Sequence, residues 1–198
     1  MEKFVAVVVI KELSETDKIL KALKNNGINC AEITFRTACA AEAIEYACKI
    51  YPDLSIGAGT VITEKQVELT KKAGGKFIIS PDTYENVIRK TRELDMVSMP
   101  GALTPTEIQK AYRCGADFVK LFPITNLGTE YVKAVKAPLS HIKFMAVGGI
   151  NENNMADYLK AGVCGFGIGS NIVNKKFIDS GDYASITQLA KKYTGVTA

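Results

Sequence analysis

Lys120 stands between Phe118, Val119, Leu121 and Phe122 in the run ADFVKLFPIT, where every neighbour favours burial. A buried ammonium without a partner is costly, so such a group shifts its pKa and neutralises. A neutral lysine amine attacks ketones and forms a Schiff base, and the protonated imine is an electron sink for carbon–carbon cleavage. A second chemical candidate lies in CAEITFR, residues 30–36. Side chains alternate along a strand, so Ala31, Ile33 and Phe35 share one apolar face. Cys30, Glu32, Thr34 and Arg36 share the other, with Arg36 at its end. The same alternation groups Phe118, Lys120 and Phe122 together and leaves Val119 and Leu121 opposite. Glu32 is then a carboxylate able to shuttle protons directly or through one water, beside an amine whose pKa burial and Arg36 would both depress. The bland alternative is a structural Lys–Glu pair between two strands, although buried ion pairs stabilise poorly compared with apolar packing.

Two glycine-rich stretches carry a different chemistry. VGGIN (147–151) and GIGSN (167–171) end consecutive apolar runs. Gly148, Gly149, Gly169 and Ser170 are small enough for the backbone to approach an oxyanion, which suits phosphate held by N–H groups. Taken alone, such glycines also make tight turns. GAGT (57–60) places the hydroxyl of Thr60 at a third strand end.

These residues need a scaffold, and the chain supplies an even beat of strands. Apolar runs begin at Phe4, Cys30, Ser55, Phe77, Met96, Phe118, Lys143 and Gly165. Their starts are roughly 19–26 residues apart, room for one helix and two short loops. The intervening segments read as helices: SETDKILKALKNNG opens at Ser14 as an expected N-cap and closes at Gly27, and TPTEIQKAYRCG and NENNMADYLKAG follow the same plan. Gly27, Gly74, Gly115 and Gly162 recur just before strands, a faint internal repeat. Strict strand–helix alternation implies parallel strands with right-handed crossovers, and eight units imply a single-domain α/β (β/α)8 TIM barrel over residues 1–198. The rival, an open doubly wound sheet, calls for a G-x-G-x-x-G after the first strand, which VVVIKELSE lacks.

Bulk properties bound the function. The 198 residues are 47% hydrophobic and 23% charged, with a net charge of +4. Charges of both signs alternate along helix faces and Trp is absent, which argues against a nucleic-acid partner. Five scattered cysteines without a C-x-x-C spacing point to reduced thiols in a cytoplasm rather than a disulfide or zinc framework. The single histidine, His141, falls in a polar connection, so histidine catalysis and His-rich metal sites are not expected. The apolar run Phe4–Ile10 is too short for a membrane span or a usual signal sequence.

AEITFRT, GAGTV, ISP, MPGALTPTE, FVKLFP, GGI and GIGS, in this order and spacing, closely resemble the KDPG/KHG aldolase family, across almost the whole chain. That resemblance implies a class I aldolase, a carbon–carbon lyase on a trimeric (β/α)8 barrel, releasing pyruvate without metal or cofactor. It implies Lys120 as the Schiff-base lysine and Glu32 as general acid/base. Arg36 and Thr60 would hold the pyruvate carboxylate, Pro81 and Phe122 would shape the pocket, and Gly148, Gly149 and Ser170 would receive a phosphate, with Gly169 beside them. The expected substrate is 2-dehydro-3-deoxy-6-phosphogluconate, giving pyruvate and glyceraldehyde 3-phosphate, a step of Entner–Doudoroff type. The 4-hydroxy-2-oxoglutarate and 6-phosphogalactonate reactions remain open within the family. A phosphate-binding isomerase or synthase barrel, or a non-catalytic metabolite-binding barrel, remains open outside it. The chain departs from the family at Val147, where well-known members carry threonine; the lost hydroxyl would forfeit about 1–2 kcal/mol where a substrate bond is made. Ile124 and Thr125 also replace an Ala and a polar residue of many relatives.

Overall fold

In the computed structural model, which describes residues 4–197, strands and helices alternate along the chain. The order opens with β1 (Phe4–Val8), α1 (Ser14–Lys24), β2 (Cys30–Thr34), α2 (Ala40–Ile50), β3 (Ser55–Gly59) and α3 (Glu64–Lys72). It continues with β4 (Phe77–Ile79), α4 (Glu85–Glu93), β5 (Val97–Met99), β6 (Gly101–Ala102), α5 (Pro105–Arg113) and β7 (Val119–Leu121). It closes with α6 (Gly128–Lys136), β8 (Phe144–Val147), α7 (Met155–Ala161), β9 (Gly165–Ile168), α8 (Lys175–Ser180) and α9 (Tyr183–Thr197).

All strand pairs are parallel, in the order β5-β4-β3-β2-β1-β9-β8-β7-β6. The two ends of that order, β5 and β6, are separated only by Pro100, so nine segments make eight barrel strands. Proline has no N–H to give to a ladder. The strand breaks there and changes partner: β5 pairs with β4, and β6 with β7. The Pro100 carbonyl still accepts from Lys120 N at 2.9 Å, and the Thr83 hydroxyl donates to Gly101 O at 2.7 Å across the seam. The expected barrel is thus present, with its fifth strand kinked.

Local signals explain most element ends. Thr63 and Thr104 each cap a helix through a reciprocal capping box with Gln66 and Glu107, and Pro105 opens α5 without wasting a donor. Gly27, Gly74, Gly115 and Gly162 all adopt positive φ, as the repeat requires. Ser14 differs from expectation: it is the first residue of α1, Leu13 occupies the cap, and no side chain caps that end. Glu15 instead reaches back to accept from Lys11 N at 2.7 Å, so the turn is closed by a longer acidic side chain.

Two apolar cores result. The outer one lies between barrel and helices and includes Ala31, Ile33, Val119 and Leu121. The inner one, within the barrel, holds Val5, Cys30, Phe77, Ile79, Met99, Phe118 and Met145. Phe77 fills the barrel because its neighbour is glycine: a Cβ at Gly57 would stand 2.4 Å from the Phe77 ring and 2.5 Å from its carbonyl oxygen. The backbone oxygen cannot move as a side chain does. Gly57→Ala should therefore cost about 1–3 kcal/mol in chemical denaturation, the usual penalty of overpacking; an unchanged midpoint would refute this account of the inner core.

Candidate active site

The inner apolar cluster occupies the barrel interior, and one cluster of polar groups lies against it. Glu32 on β2 and Lys120 on β7 are 4% and 8% exposed. Alternation puts both inside, since the residues flanking each belong to the outer core. They line a small cavity with Ile79, Met99, Met145, Val147 and Gly167. Above it opens a cleft of about 270 Å³ that also touches both residues. Its rim carries Arg36, Thr60, Phe122, Gly148, Gly149, Gly169 and Ser170, each from just beyond the C-terminal end of a strand. That is the face where loops of parallel barrels build their sites.

Pro81 is not among the lining residues. It follows β4, and its carbonyl is turned onto the kinked strand: a Cβ at Gly101 would meet Pro81 O at 2.2 Å. Sequence reasoning gave no role to several residues that do line the cleft: Val7, Val9, Thr34, Ile150 and Asn171. Alternation from β1 would have flagged the valines. Asn171 donates from Nδ2 to Ile150 O at 2.7 Å and so ties the two glycine loops together, a tertiary contact with no sequence signal.

The electrostatics of the pair follow from burial. The ion pairs of the described residues lie at the surface, and none joins Lys120 to Glu32. The purely structural salt bridge is therefore not formed. Burial pushes the Glu32 carboxyl up to about 7, with Lys120 pulling the other way. Burial likewise lowers the Lys120 amine from its ordinary range, opposed by Glu32. Arg36, exposed on the rim, is not a cause of that shift, contrary to expectation. The Lys120 Nζ sits 4.4 Å from the centre of the Phe122 ring, a face that favours a cationic nitrogen. The site thus holds an amine that gives up its proton readily and an aromatic face that steadies a cation formed on the same nitrogen.

The position of Glu32 depends on Gly59. A Cβ there would lie 2.6 Å from the carboxyl carbon and 2.6 Å from Oε2, so the carboxyl rests directly on the glycine backbone. Glu32 Oε2 has no hydrogen-bond partner among the described residues. Thr60 follows with φ of 56°, a conformation a β-branched residue rarely adopts. Strain of this kind collects at functional sites.

A raised carboxyl pKa has a definite sign for stability. Below the unfolded value, 4.5, Glu32 is protonated whether folded or not and costs nothing. Between 4.5 and about 7 the unfolded chain has ionised while the folded carboxyl still holds its proton, so stability falls across that window and levels off above it. Glu32→Gln should therefore be more stable than the parent at pH 8, by up to about 3 kcal/mol, and equal to it near pH 4.5. Denaturant titrations at the two pH values check this; a constant difference would contradict it.

The glycine loops are braced from outside. Gly148 and Gly149 have φ of 100° and 72°. Asn154 Nδ2 donates to Gly149 O at 2.9 Å, and Asn154 Oδ1 accepts from Asn151 N at 2.9 Å. The N–H groups of Gly148, Gly149, Gly169 and Ser170 donate to no backbone carbonyl among the described residues. Successive free N–H groups facing a cleft form an anion-binding concavity.

A parallel barrel with a buried, easily deprotonated amine beside a carboxyl poised near neutrality is the scaffold of a Schiff-base lyase. Comparison with known proteins carries this further. The family model described as KDPG and KHG aldolase matches residues 1–189. The 2-dehydro-3-deoxy-phosphogluconate aldolase of Treponema pallidum (strain Nichols) is 34% identical over 194 residues, covering 96% of this chain and 91% of the relative. The probable 2-dehydro-3-deoxy-6-phosphogalactonate aldolase of Rhizobium meliloti (strain 1021) is 38% identical over 170 residues, covering 85% and 80%. Among solved structures, the KDPG aldolase of Legionella pneumophila, with pyruvate captured at low pH as a covalent carbinolamine, superposes with a TM-score of 0.89 at 33% identity, covering 96% of this chain and 92% of the other. The chain belongs to the KDPG and KHG aldolase family. It is an aldolase, a carbon–carbon lyase, and the isomerase, synthase and non-catalytic readings fall away.

Proposed function

We propose that this aldolase cleaves 2-dehydro-3-deoxy-6-phosphogluconate to pyruvate and glyceraldehyde 3-phosphate through a Schiff base on Lys120. The observation that carries the reading is an amine buried in the same cavity as Glu32 without being tied to it as an ion pair. Lys120 Nζ attacks the C2 ketone, and loss of water gives the iminium under the Phe122 ring. Glu32 takes the proton of the C4 hydroxyl, directly or through one water. The C3–C4 bond then breaks, its electron pair passes into the iminium, and the aldehyde leaves. Protonation of the enamine at C3 and hydrolysis release pyruvate and restore the amine. Arg36 offers a planar fork to the carboxylate and Thr60 a hydroxyl. The loops at Gly148, Gly149, Gly169 and Ser170 receive the phosphate. Pro81 stands outside this assignment because it does not line the cleft.

The free N–H groups of the glycine loops favour the phosphorylated acid over 4-hydroxy-2-oxoglutarate. A second reading is the 6-phosphogalactonate epimer. Val147 puts methyl groups, not a hydroxyl, beside Lys120, so that position offers no hydrogen bond to select one C4 configuration. A pyruvate-detecting assay with all three acids separates them. The phosphogluconate derivative should show a kcat/KM at least about 100-fold above that of the unphosphorylated acid, the worth of two charge-assisted bonds. Equal values would overturn the phosphate assignment, and a preference for the epimer would install the second reading. The same proposal takes the working molecule to be a cytoplasmic homotrimer in sugar-acid catabolism of the Entner–Doudoroff type. Support comes from the family resemblance and from five cysteines that are free thiols.

A further inference from the structure

Two buried oxygens on one face of β2 lack partners among the described residues: Glu32 Oε2 and Thr34 Oγ1. Thr34 is 1% exposed, yet it lines the cleft above Lys120. A buried hydroxyl left unpaired costs about 1–3 kcal/mol, and apolar valine would fill the same space without that cost. The described residues alone therefore give that orphan hydroxyl no partner.

Register places the two oxygens at one level of the barrel. Glu32 is two residues before Thr34, but its longer side chain reaches up until the carboxyl rests on Gly59, and Gly59 is the strand partner of Thr34. Neighbouring strands lie about 4.8 Å apart, so the carboxyl and the Thr34 side chain face each other across roughly that distance. The gap is too wide for a direct hydrogen bond and suits one bridging molecule with two bonds of ordinary length. A carboxylate only accepts, whereas a threonine hydroxyl can donate while the bridging group donates to Glu32. Water meets both demands.

Building on the Schiff-base reading above, we infer that Thr34 is a positioning residue that holds the water through which Glu32 exchanges a proton with C3 of the pyruvate-derived enamine. In the exchange step the C3–H bond of the iminium breaks and its electron pair enters the C2–C3 bond, neutralising the iminium nitrogen. The water oxygen takes that proton and passes one of its own to the Glu32 carboxylate. The reverse sequence protonates the enamine. Thr34 changes no bond; it fixes the water's position and orientation. Lys120 remains free to form the imine without it.

The test uses the full chain with pyruvate alone. Exchange of the pyruvate methyl hydrogens in D2O, followed by proton NMR, reads the proton transfer, and borohydride trapping with mass spectrometry reads imine formation on Lys120. Thr34→Val should slow exchange by about 10–100-fold, less than the loss of the acid–base group itself, with trapping within about twofold of the parent. Thr34→Ser, which keeps the hydroxyl, should restore exchange to within about threefold of the parent. If the valine variant does not fold, Thr34→Ala takes its place with the same expectation. Exchange unchanged in the valine or alanine variant overturns the inference, as does trapping that falls in parallel with exchange or a serine variant as slow as valine. A parent enzyme that neither exchanges nor traps overturns the Schiff-base reading itself, which separates the two failures.

Discussion

Lys120→Ala should abolish both the borohydride-trapped pyruvyl adduct and aldol cleavage, with turnover falling by at least about 10⁴-fold. The size follows from the mechanism: without a covalent iminium there is no electron sink for the C3–C4 pair, and no other described lysine lines the cleft. Mass spectrometry of the reduced, digested protein locates the adduct. A pyruvyl group found on another lysine, or cleavage surviving in the variant, would end the assignment. Lys120→Met makes a sharper companion. It replaces a buried amine, whose charged form burial disfavours, by an apolar chain of similar length beside Met99 and Met145. The lowered amine pKa means that the cost of the lysine is full below its folded pKa, shrinks as pH rises from there towards the unfolded value, 10.5, and is gone above it. Lys120→Met should then be inactive yet more stable than the parent at pH 7, a trade that natural active sites commonly show.

Glu32→Gln should separate the two halves of the chemistry. Glutamine keeps the shape of the side chain on Gly59 and removes its capacity to take a proton. Imine formation on Lys120 should persist, while cleavage and pyruvate exchange fall by about 10²–10⁴-fold, the range of a lost general acid–base group. The pH profile supplies an independent check. With the carboxyl near 7, the parent should show an ionisation in that region in its cleavage rate, and the glutamine variant should lack it. Loss of trapping together with turnover would mean that Glu32 is needed to neutralise or place Lys120 rather than to move protons.

The sequence by itself determined the scaffold and the identity of the reactive groups. Period-two alternation decided that Glu32, Thr34 and Lys120 point inward, because the opposite phase would bury a carboxylate and an ammonium under helices. The even spacing of strands decided the parallel barrel, and parallel barrels place their chemistry at the C-terminal strand ends, which located Arg36, Thr60 and the glycine loops. What the alternation could not carry was distance between strands. The stagger that levels the Glu32 carboxyl with Thr34, the separation of Glu32 from Lys120, and the Asn171–Ile150 tie arise only once eight strands close on one another. The same holds for Pro100, which breaks a strand that reads as continuous, and for Pro81, whose carbonyl lies against Gly101 at that kink and which is not among the residues lining the cleft. Burial of Lys120 sets its acidity where proximity to Arg36 was expected to help, because Arg36 ends on the exposed rim. Residue type and period are local properties and can be read along a chain. Desolvation and register are sums over neighbours from distant segments, and only the folded barrel brings those neighbours together.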